Sequence, residues 1–192
     1  MPENVPLRRA DAARNRDTIL AAALAALTES GDASLNSIAK RAGVANATLY
    51  RHFPTRERLV LEVYRHEVRQ LAEAADQLLV KESPGDALRD WVQRLAQYAM
   101  TKHGLADALR AATGSGTALF AETYDPIVAA LERLLVAAEY AGTVRPGLDP
   151  HNVILALAGL WEIDPATDWQ ARARQLYDLI FTGLQADRPR SA

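Results

Sequence analysis

The chain has 192 residues, a formal net charge of −2 and no cysteine. The missing thiols exclude disulfides, thiolate metal sites and cysteine nucleophiles, and the four histidines show neither an HxxxH nor an HExxH spacing. No apolar run approaches the roughly 20 residues of a membrane span, and the first residues lack the apolar core of a signal peptide. We therefore expect a soluble, cytoplasmic protein with no bound metal, no cofactor and no contact with a membrane.

Positive charge is concentrated at the front of the chain. Residues 1–58 carry nine Lys or Arg against six Asp or Glu, so the rest of the chain is acidic. Such a division is typical of a DNA-binding head on a body that phosphate repels. Residues 1–10 suggest a flexible basic arm, and helical spacing from Asp11 places Ile19 and Leu27 on one face of a first helix.

Two short helices are predicted next. The first covers Leu35–Ala42 with Ser34 as its N-cap, and the second covers about Ala47–Phe53 with Asn46 as its cap. Gly43 between them can take the positive φ of a tight turn, which makes the pair a helix-turn-helix signature. In that motif the second helix lies in the major groove of DNA. On the residues alone, a small helical hairpin with inert polar residues is the competing interpretation.

Six more helices are predicted in the body of the chain, and no strand alternation of any length is present. They run from Thr55 to Val80, from Ser83-Pro84 to about His103, over Leu105–Ala112, from Phe120 to Leu135, from Asp149-Pro150 through Trp161 and over Trp169–Leu184. We therefore expect an all-α protein of about nine helices. An N-terminal three-helix, helix-turn-helix head would occupy residues 1–55, and a helical-bundle body would occupy residues 56–192.

The centre of the penultimate predicted helix, Val153–Trp161, is apolar on nearly every side. Such a helix must be covered on every side, and in a chain of this size a second subunit is the expected second cover. Gly159 and Gly183 would allow a close approach of backbones there. The predicted dimer interface consists of Val153, Leu157, Leu160, Trp161, Leu176, Ile180 and Leu184.

The stretch SLNSIAKRAGVANATLYRHFPTRERLVLEV, residues 34–63, resembles the DNA-binding signature of the TetR family. The Gly43-Val44 turn, the run Thr48–Phe53 and the basic residue three positions after that run carry the resemblance, and Arg16–Gly31 is similar to the family's first helix. The resemblance implies a homodimer that binds a palindromic operator in double-stranded DNA, usually as a repressor that a small ligand releases. Arg56 stands where the family usually has lysine, an exchange that a single phosphate contact tolerates.

The family's motif positions also imply which residues contact DNA, divided between phosphates and bases. They are Tyr50, His52 and Arg56 for the phosphates, Asn46, Ala47 and Thr48 for the bases, and Asn36 and Ser37 on the flank. The basic arm with Arg8 and Arg9 would enter the minor groove, with simple disorder as the equal alternative.

A ligand pocket in the body is implied only through the resemblance, and plain core is the alternative for each large aromatic residue. The pocket would lie between the helices that contain Trp91–Tyr98, Leu105–Ala112 and Phe120–Leu131, and it would take a small, mainly apolar molecule. Its predicted lining is Trp91, Leu95, Tyr98, His103, Leu109, Phe120 and Tyr124.

No arrangement of catalytic residues is visible. The Gly114-Ser115-Gly116 segment lacks the Gly-Lys-Ser/Thr continuation of a P-loop, and Ser115 has no identifiable base. We therefore expect a DNA-binding transcription regulator and not an enzyme. The alternative is a helical ligand-binding or adaptor protein that does not bind DNA.

Overall fold

The computed structural model describes residues 5–113 and 117–185, with side-chain surroundings for residues 14–103, 105–113 and 122–185. Over these residues the expected all-α fold is confirmed, with nine α-helices and one 3-10 helix. The helices are α1 (Val5–Glu29), α2 (Leu35–Ala42), α3 (Asn46–His52), α4 (Arg56–Lys81), α5 (Pro84–Gly104), α6 (Ala106–Thr113), α7 (Thr117–Tyr140), α8 (Pro150–Ala156), the 3-10 helix Leu157–Glu162 and α9 (Trp169–Leu184). No described helix is long and apolar enough to cross a membrane.

The chain divides into two compact units. The first comprises the chain up to His66 together with Gly104–Leu119, and the second comprises Glu67–His103 and the chain from Phe120 onward. α4 therefore begins in the first unit and continues in the second. A functional boundary after residue 55 stays a prediction, because the compact units divide the chain eleven residues later, within α4.

In the first unit α1 packs on α2, and α2 packs on α3. Ile19 and Leu27 of α1, Ile38 of α2, Leu49 of α3 and Phe53 just after α3 are all completely buried. Burying each of these side chains stabilises the fold by about 1.5–3 kcal/mol. The predicted apolar face of the first helix is confirmed, and this face is what fixes the two short helices.

Local signals set the ends of α2. Ser34 has extended backbone angles, and its hydroxyl oxygen accepts the N–H of Ser37 at 3.1 Å, as a helix N-cap does. Gly43 has φ 67°, a left-handed conformation that favours glycine. Both predictions are confirmed. The prediction of Asn46 as the cap of α3 is wrong, because α3 begins at Asn46 and the capping position is Ala45, which makes no side-chain hydrogen bond.

The N-terminal arm is also different from the expectation. Residues 5–10 belong to α1, whereas a flexible arm was expected there, and residues 1–4 lie outside the described residues. The segment from Leu7 to Ala13 is rich in Leu, Arg and Ala, which are good helix formers, so the helix continues towards the N-terminus. The side chains of Arg8 and Arg9 lie outside the described set.

In the second unit, buried and polar contacts join α4 to α5 and α7. Ser83 caps α5 by accepting the N–H of Asp86 at 3.3 Å. Trp91 of α5 is completely buried, and its indole N–H donates to the carbonyl oxygen of Leu71 at 2.9 Å. On the surface, the Arg133 guanidinium of α7 donates to the Asp76 carboxylate of α4 at 2.8 Å.

The C-terminal part of the second unit contains one change from the expectation. α8 ends at Ala156, whereas the sequence suggested a helix through Trp161, and a 3-10 helix follows. The 3-10 spacing aligns residues three apart, so Leu157 and Leu160 are both buried together. This helix packs on α8 and α9, and a Cβ added at Gly159 would meet Leu176 Cδ2 of α9 at 3.1 Å. The glycine therefore allows a close approach within the protomer.

Candidate nucleic-acid interface

α3 has one buried edge and one exposed face. Leu49 and, just beyond the helix, Phe53 are completely buried, which fixes the rotation of α3 about its axis. Asn46, Ala47 and Tyr50 consequently face outward, and the Tyr50 side chain is 44 % exposed. An exposed amide, a methyl group and a phenol on a two-turn helix are chemically suited to base edges and phosphates in the major groove.

The predicted flanking positions lie on α2, and Thr48, the third position predicted to face the bases, lies at the middle of α3. Asn36 and Ser37 are exposed, and Thr48 is half-buried. The Ser37 hydroxyl donates to the carbonyl oxygen of Ser34 at 2.7 Å, so its proton has a partner inside α2. The hydroxyl oxygen keeps a lone pair with which it can accept a further hydrogen bond.

His52 and Arg56, the two remaining predicted DNA contacts, are half-buried. The His52 Nε2 atom is buried and has no hydrogen-bond partner within the part of the chain that the structure describes. Arg56 is engaged by the turn between α1 and α2. Its Nε donates to the carbonyl oxygen of Ala33 at 3.3 Å, and its terminal nitrogen donates to the carbonyl oxygen of Gly31.

Two exposed arginines lie beside this motif and are not among the contacts that the family's motif positions imply. Arg51 belongs to the last turn of α3 and Arg58 to the first turn of α4. With His52, Pro54 and Thr55 they line one surface depression. Their charge is visible in the sequence, but their exposure and lack of partners depend on the packing of α3 and α4.

The predicted ligand-pocket residues lie in different surroundings. Trp91, Leu95 and Tyr98 of α5 are buried, His103 is exposed, and Tyr124 of α7 is half-buried with its hydroxyl 3.2 Å from His151 Nδ1. These residues belong to the second unit. Leu109 belongs to the first unit, where it is buried, and the side chain of Phe120 lies outside the described set. The residues before Thr117 that were considered as a P-loop also lie outside it.

A small cleft of about 200 Å³ does lie in the second unit, formed by α5, the 3-10 helix and α9. Gln93, Gln97, Gln170 and Arg174 supply its polar lining, and no predicted pocket residue lines it. Tyr177 also lines the cleft, and its buried hydroxyl has no hydrogen-bond partner among the described residues. Burial raises the pKa of Tyr177 to about 12, and the positive charge of Arg89 opposes this shift.

The predicted dimer-interface residues form two groups. Val153, Leu157 and Leu160 are buried within the protomer. The second group is half-buried and consists of Trp161, Leu176, Ile180 and Leu184. Two leucines outside the predicted set are the most exposed large apolar residues of α8 and α9: Leu155 is 72 % exposed and Leu179 is 73 % exposed. Leu179 follows Leu176 by three positions, so the helical period could have revealed it.

Comparisons with known proteins agree with this geometry. Residues 19–63 match the family described as bacterial regulatory proteins of the TetR family, and residues 83–186 match the C-terminal domain of SbtR-like transcriptional regulators. No curated protein sequence matches the chain significantly.

Solved structures of regulators are similar over nearly the whole chain. The TetR transcriptional regulator SCO0520 from Streptomyces coelicolor is 41% identical, with a TM-score of 0.83, and the match covers 90% of this chain and 99% of that one. A TetR transcription regulatory protein from Mycobacterium vanbaalenii is 36% identical, with a TM-score of 0.76 and coverage of 93% and 99%. Together with the exposed face of α3, these matches show that the chain belongs to the TetR family of DNA-binding transcriptional regulators.

Proposed function

We propose that the protein is a sequence-specific repressor that binds a palindromic operator as a homodimer and that a small apolar ligand releases. The observation that carries the DNA-binding step is the exposed face of α3, with Asn46, Ala47 and Tyr50 turned outward by the burial of Leu49 and Phe53. In a helix-turn-helix protein this face reads base edges, while neighbouring groups hold the phosphates.

The dimer is supported by the apolar surface of the C-terminal helices. Leu155 of α8 and Leu179 of α9 are exposed in the protomer, and Leu176, Ile180 and Leu184 are only half-buried. Exposed apolar residues beside half-buried ones, as on these two helices, are typical of a subunit interface. A two-fold dimer would present two copies of α3, which is why we propose a palindromic operator.

The ligand step is supported by membership of the family, whose regulators respond to small molecules. α4 passes from the first unit, which holds α3, into the second unit, and it is a covalent path between them. A ligand that binds the second unit more tightly in one conformation would shift the population of dimers away from the state that fits the operator. We propose the predicted lining residues of the second unit, Tyr98 and Tyr124 among them, as the site of this mainly apolar ligand.

The DNA-binding step is tested by selecting bound sequences from a pool of randomised duplexes with the purified full chain. The proposal predicts enrichment of a two-fold symmetric sequence. Loss of all enrichment, with the protein folded, would instead favour the helical adaptor without DNA binding.

The ligand step needs a separate experiment. Apolar compounds are screened for a rise in the melting temperature, and each hit is added to the complex of protein and selected duplex. We expect at least one compound that stabilises the protein and weakens DNA binding. Compounds that stabilise the protein but leave the complex unchanged would contradict release by a ligand at that site.

A further inference from the structure

The basic residues around the end of α3 and the start of α4 are in two different states. Arg56 donates hydrogen bonds to backbone carbonyl groups of the α1–α2 turn. The side chains of Arg51 and Arg58, in contrast, are exposed and have no partner within the described part of the chain. We infer that Arg58, together with Arg51, binds a phosphate of the DNA backbone, and that Arg56 has a structural role. This inference rests on the proposed DNA-binding function.

Arg56 is directed towards its own protein. A guanidinium holds its five N–H donors in a fixed plane, so the two bonds to Ala33 and Gly31 fix its orientation. Acidic groups also stand close to it. The pKa of the Asp32 carboxyl is lowered mainly by the Ser30 hydroxyl and a backbone N–H, with a smaller contribution from the charge of Arg56. The positive charge of Arg56 is therefore partly balanced within the first unit.

The charge of Arg56 also acts on Glu57. The pKa of the Glu57 carboxyl is lowered first by a backbone N–H and by the Thr55 hydroxyl, and then by the charge of Arg56. A guanidinium whose charge is partly balanced by carboxylates attracts a phosphate less strongly than an unbalanced guanidinium does.

Arg51 and Arg58 are free to bind a phosphate. Both line the depression with His52, Pro54 and Thr55, and Thr55 fixes the first turn of α4 by accepting the N–H of Arg58 at 3.2 Å. Two arginines that line one depression can offer their guanidinium groups to the unesterified oxygens of a backbone phosphate, to which arginine makes short, charge-assisted hydrogen bonds.

The position of the depression agrees with its proposed ligand. It lies at the C-terminal end of α3, next to Tyr50 in the sequence, so a duplex that lies along the exposed face of α3 passes beside it. Phosphate contacts position a protein on DNA without reading the sequence. The two arginines would therefore set the register of α3 in the groove and contribute equally to the binding free energy of every DNA sequence.

The test is the salt dependence of binding to a random-sequence duplex, measured by fluorescence anisotropy with the full chain. We compare the wild-type protein with Arg58→Ala, Arg51→Ala and Arg56→Ala. Arg94→Ala is the matched control, because Arg94 is an exposed arginine on α5 whose loss changes the net charge by the same amount.

Each lost phosphate contact should lower the slope of log affinity against log salt by about one unit per bound protomer. Because the two arginines share one phosphate, we expect a partial fall for Arg58→Ala and for Arg51→Ala alone and the full unit for the double variant, with melting temperatures unchanged, and we expect Arg58→Lys to restore most of the slope. Arg56→Ala should keep the wild-type slope and lower the melting temperature. Arg94→Ala should change neither quantity.

Two results would overturn the inference, and they have different meanings. If the wild-type protein binds the duplex and Arg58→Ala keeps the full slope while Arg56→Ala loses it, Arg56 is the phosphate contact and only this inference fails. If the wild-type protein binds no duplex at all, the proposed function fails and this inference fails with it.

Discussion

Arg16 of α1 and Glu62 of α4 form an ion pair within the first unit, although 46 positions separate them in the sequence. The Glu62 side chain is only 13% exposed, and the Arg16 guanidinium carbon also lies 5.3 Å from the centroid of the Phe53 ring. One arginine thus holds the start of α4 and the residue after α3 against the first helix. The helix-turn-helix is therefore fixed by a polar contact as well as by its apolar core.

Arg16→Ala should lower the free energy of unfolding by about 1–2 kcal/mol, because it removes an ion pair and a cation–π contact and leaves a mostly buried carboxylate. Urea denaturation measures this change. Arg110→Ala is the control, since its pair with Asp107 is largely exposed and should contribute less than about 0.5 kcal/mol. Equal losses in the two variants would contradict the role of Arg16.

Gly43→Ala should destabilise the protein by about 1–2 kcal/mol, because a Cβ is strained at φ 67°. No atom lies within 4 Å of the added Cβ, so the cost comes from the backbone and not from a clash. The melting temperature measures the effect. Gly31→Ala is the control, because that position also has open space but no positive φ, and it should melt close to the wild-type temperature.

Tyr177→Phe should change the pH dependence of stability. Burial raises the pKa of Tyr177 from 10.0 in the unfolded chain to about 12 in the folded one. As the pH rises from 10 to about 12, the unfolded chain loses this proton while the folded protein keeps it. The free energy of unfolding therefore has its full value below pH 10 and falls as the pH rises through about 12.

The phenylalanine variant lacks this titration, so its stability should fall less steeply above pH 10 than that of the wild-type protein. At pH 8 it should be at least as stable, because the Tyr177 hydroxyl has no hydrogen-bond partner among the described residues. Urea denaturation between pH 8 and 11 measures both effects. Parallel stability curves for the two proteins would show that Tyr177 does not titrate as described.

Several of these features could be predicted from the sequence and others could not. Ser34, Gly43 and Asp149 act on their own neighbours in the chain, so their caps and the turn were correctly predicted. The partners of Arg56 depend on where the α1–α2 turn lies in space, and residue type alone does not specify this.

The C-terminal helices show the same distinction. The apolar run Val153–Trp161 is compatible with an α-helix and with a 3-10 helix. The change from α-helix to 3-10 helix at Leu157 follows from packing against α9. Leu157 was grouped with the interface because the sequence does not distinguish a surface covered by the same chain from one left exposed. The structure makes that distinction, with Leu157 buried and Leu179 exposed.

Leu179→Asp should therefore yield folded monomers, because the charge is placed at an exposed position that we assign to the dimer interface. Leu155→Asp should have the same effect. Sedimentation velocity measures the mass, and circular dichroism confirms the helices. Val136→Asp is the control, since Val136 is an exposed apolar residue on α7 outside the proposed interface. A Leu179→Asp protein that still sediments as a dimer would place the interface elsewhere.

The most direct test of the account is the affinity of the selected duplex for the wild-type protein, for Asn46→Ala and for Tyr50→Ala, with the melting temperature of each measured alongside. Both side chains are exposed, so the fold should be unchanged. Each lost contact should cost about 1–3 kcal/mol of binding free energy, roughly 5- to 150-fold in Kd. Wild-type affinity in both folded variants would contradict the claim that the exposed face of α3 binds DNA.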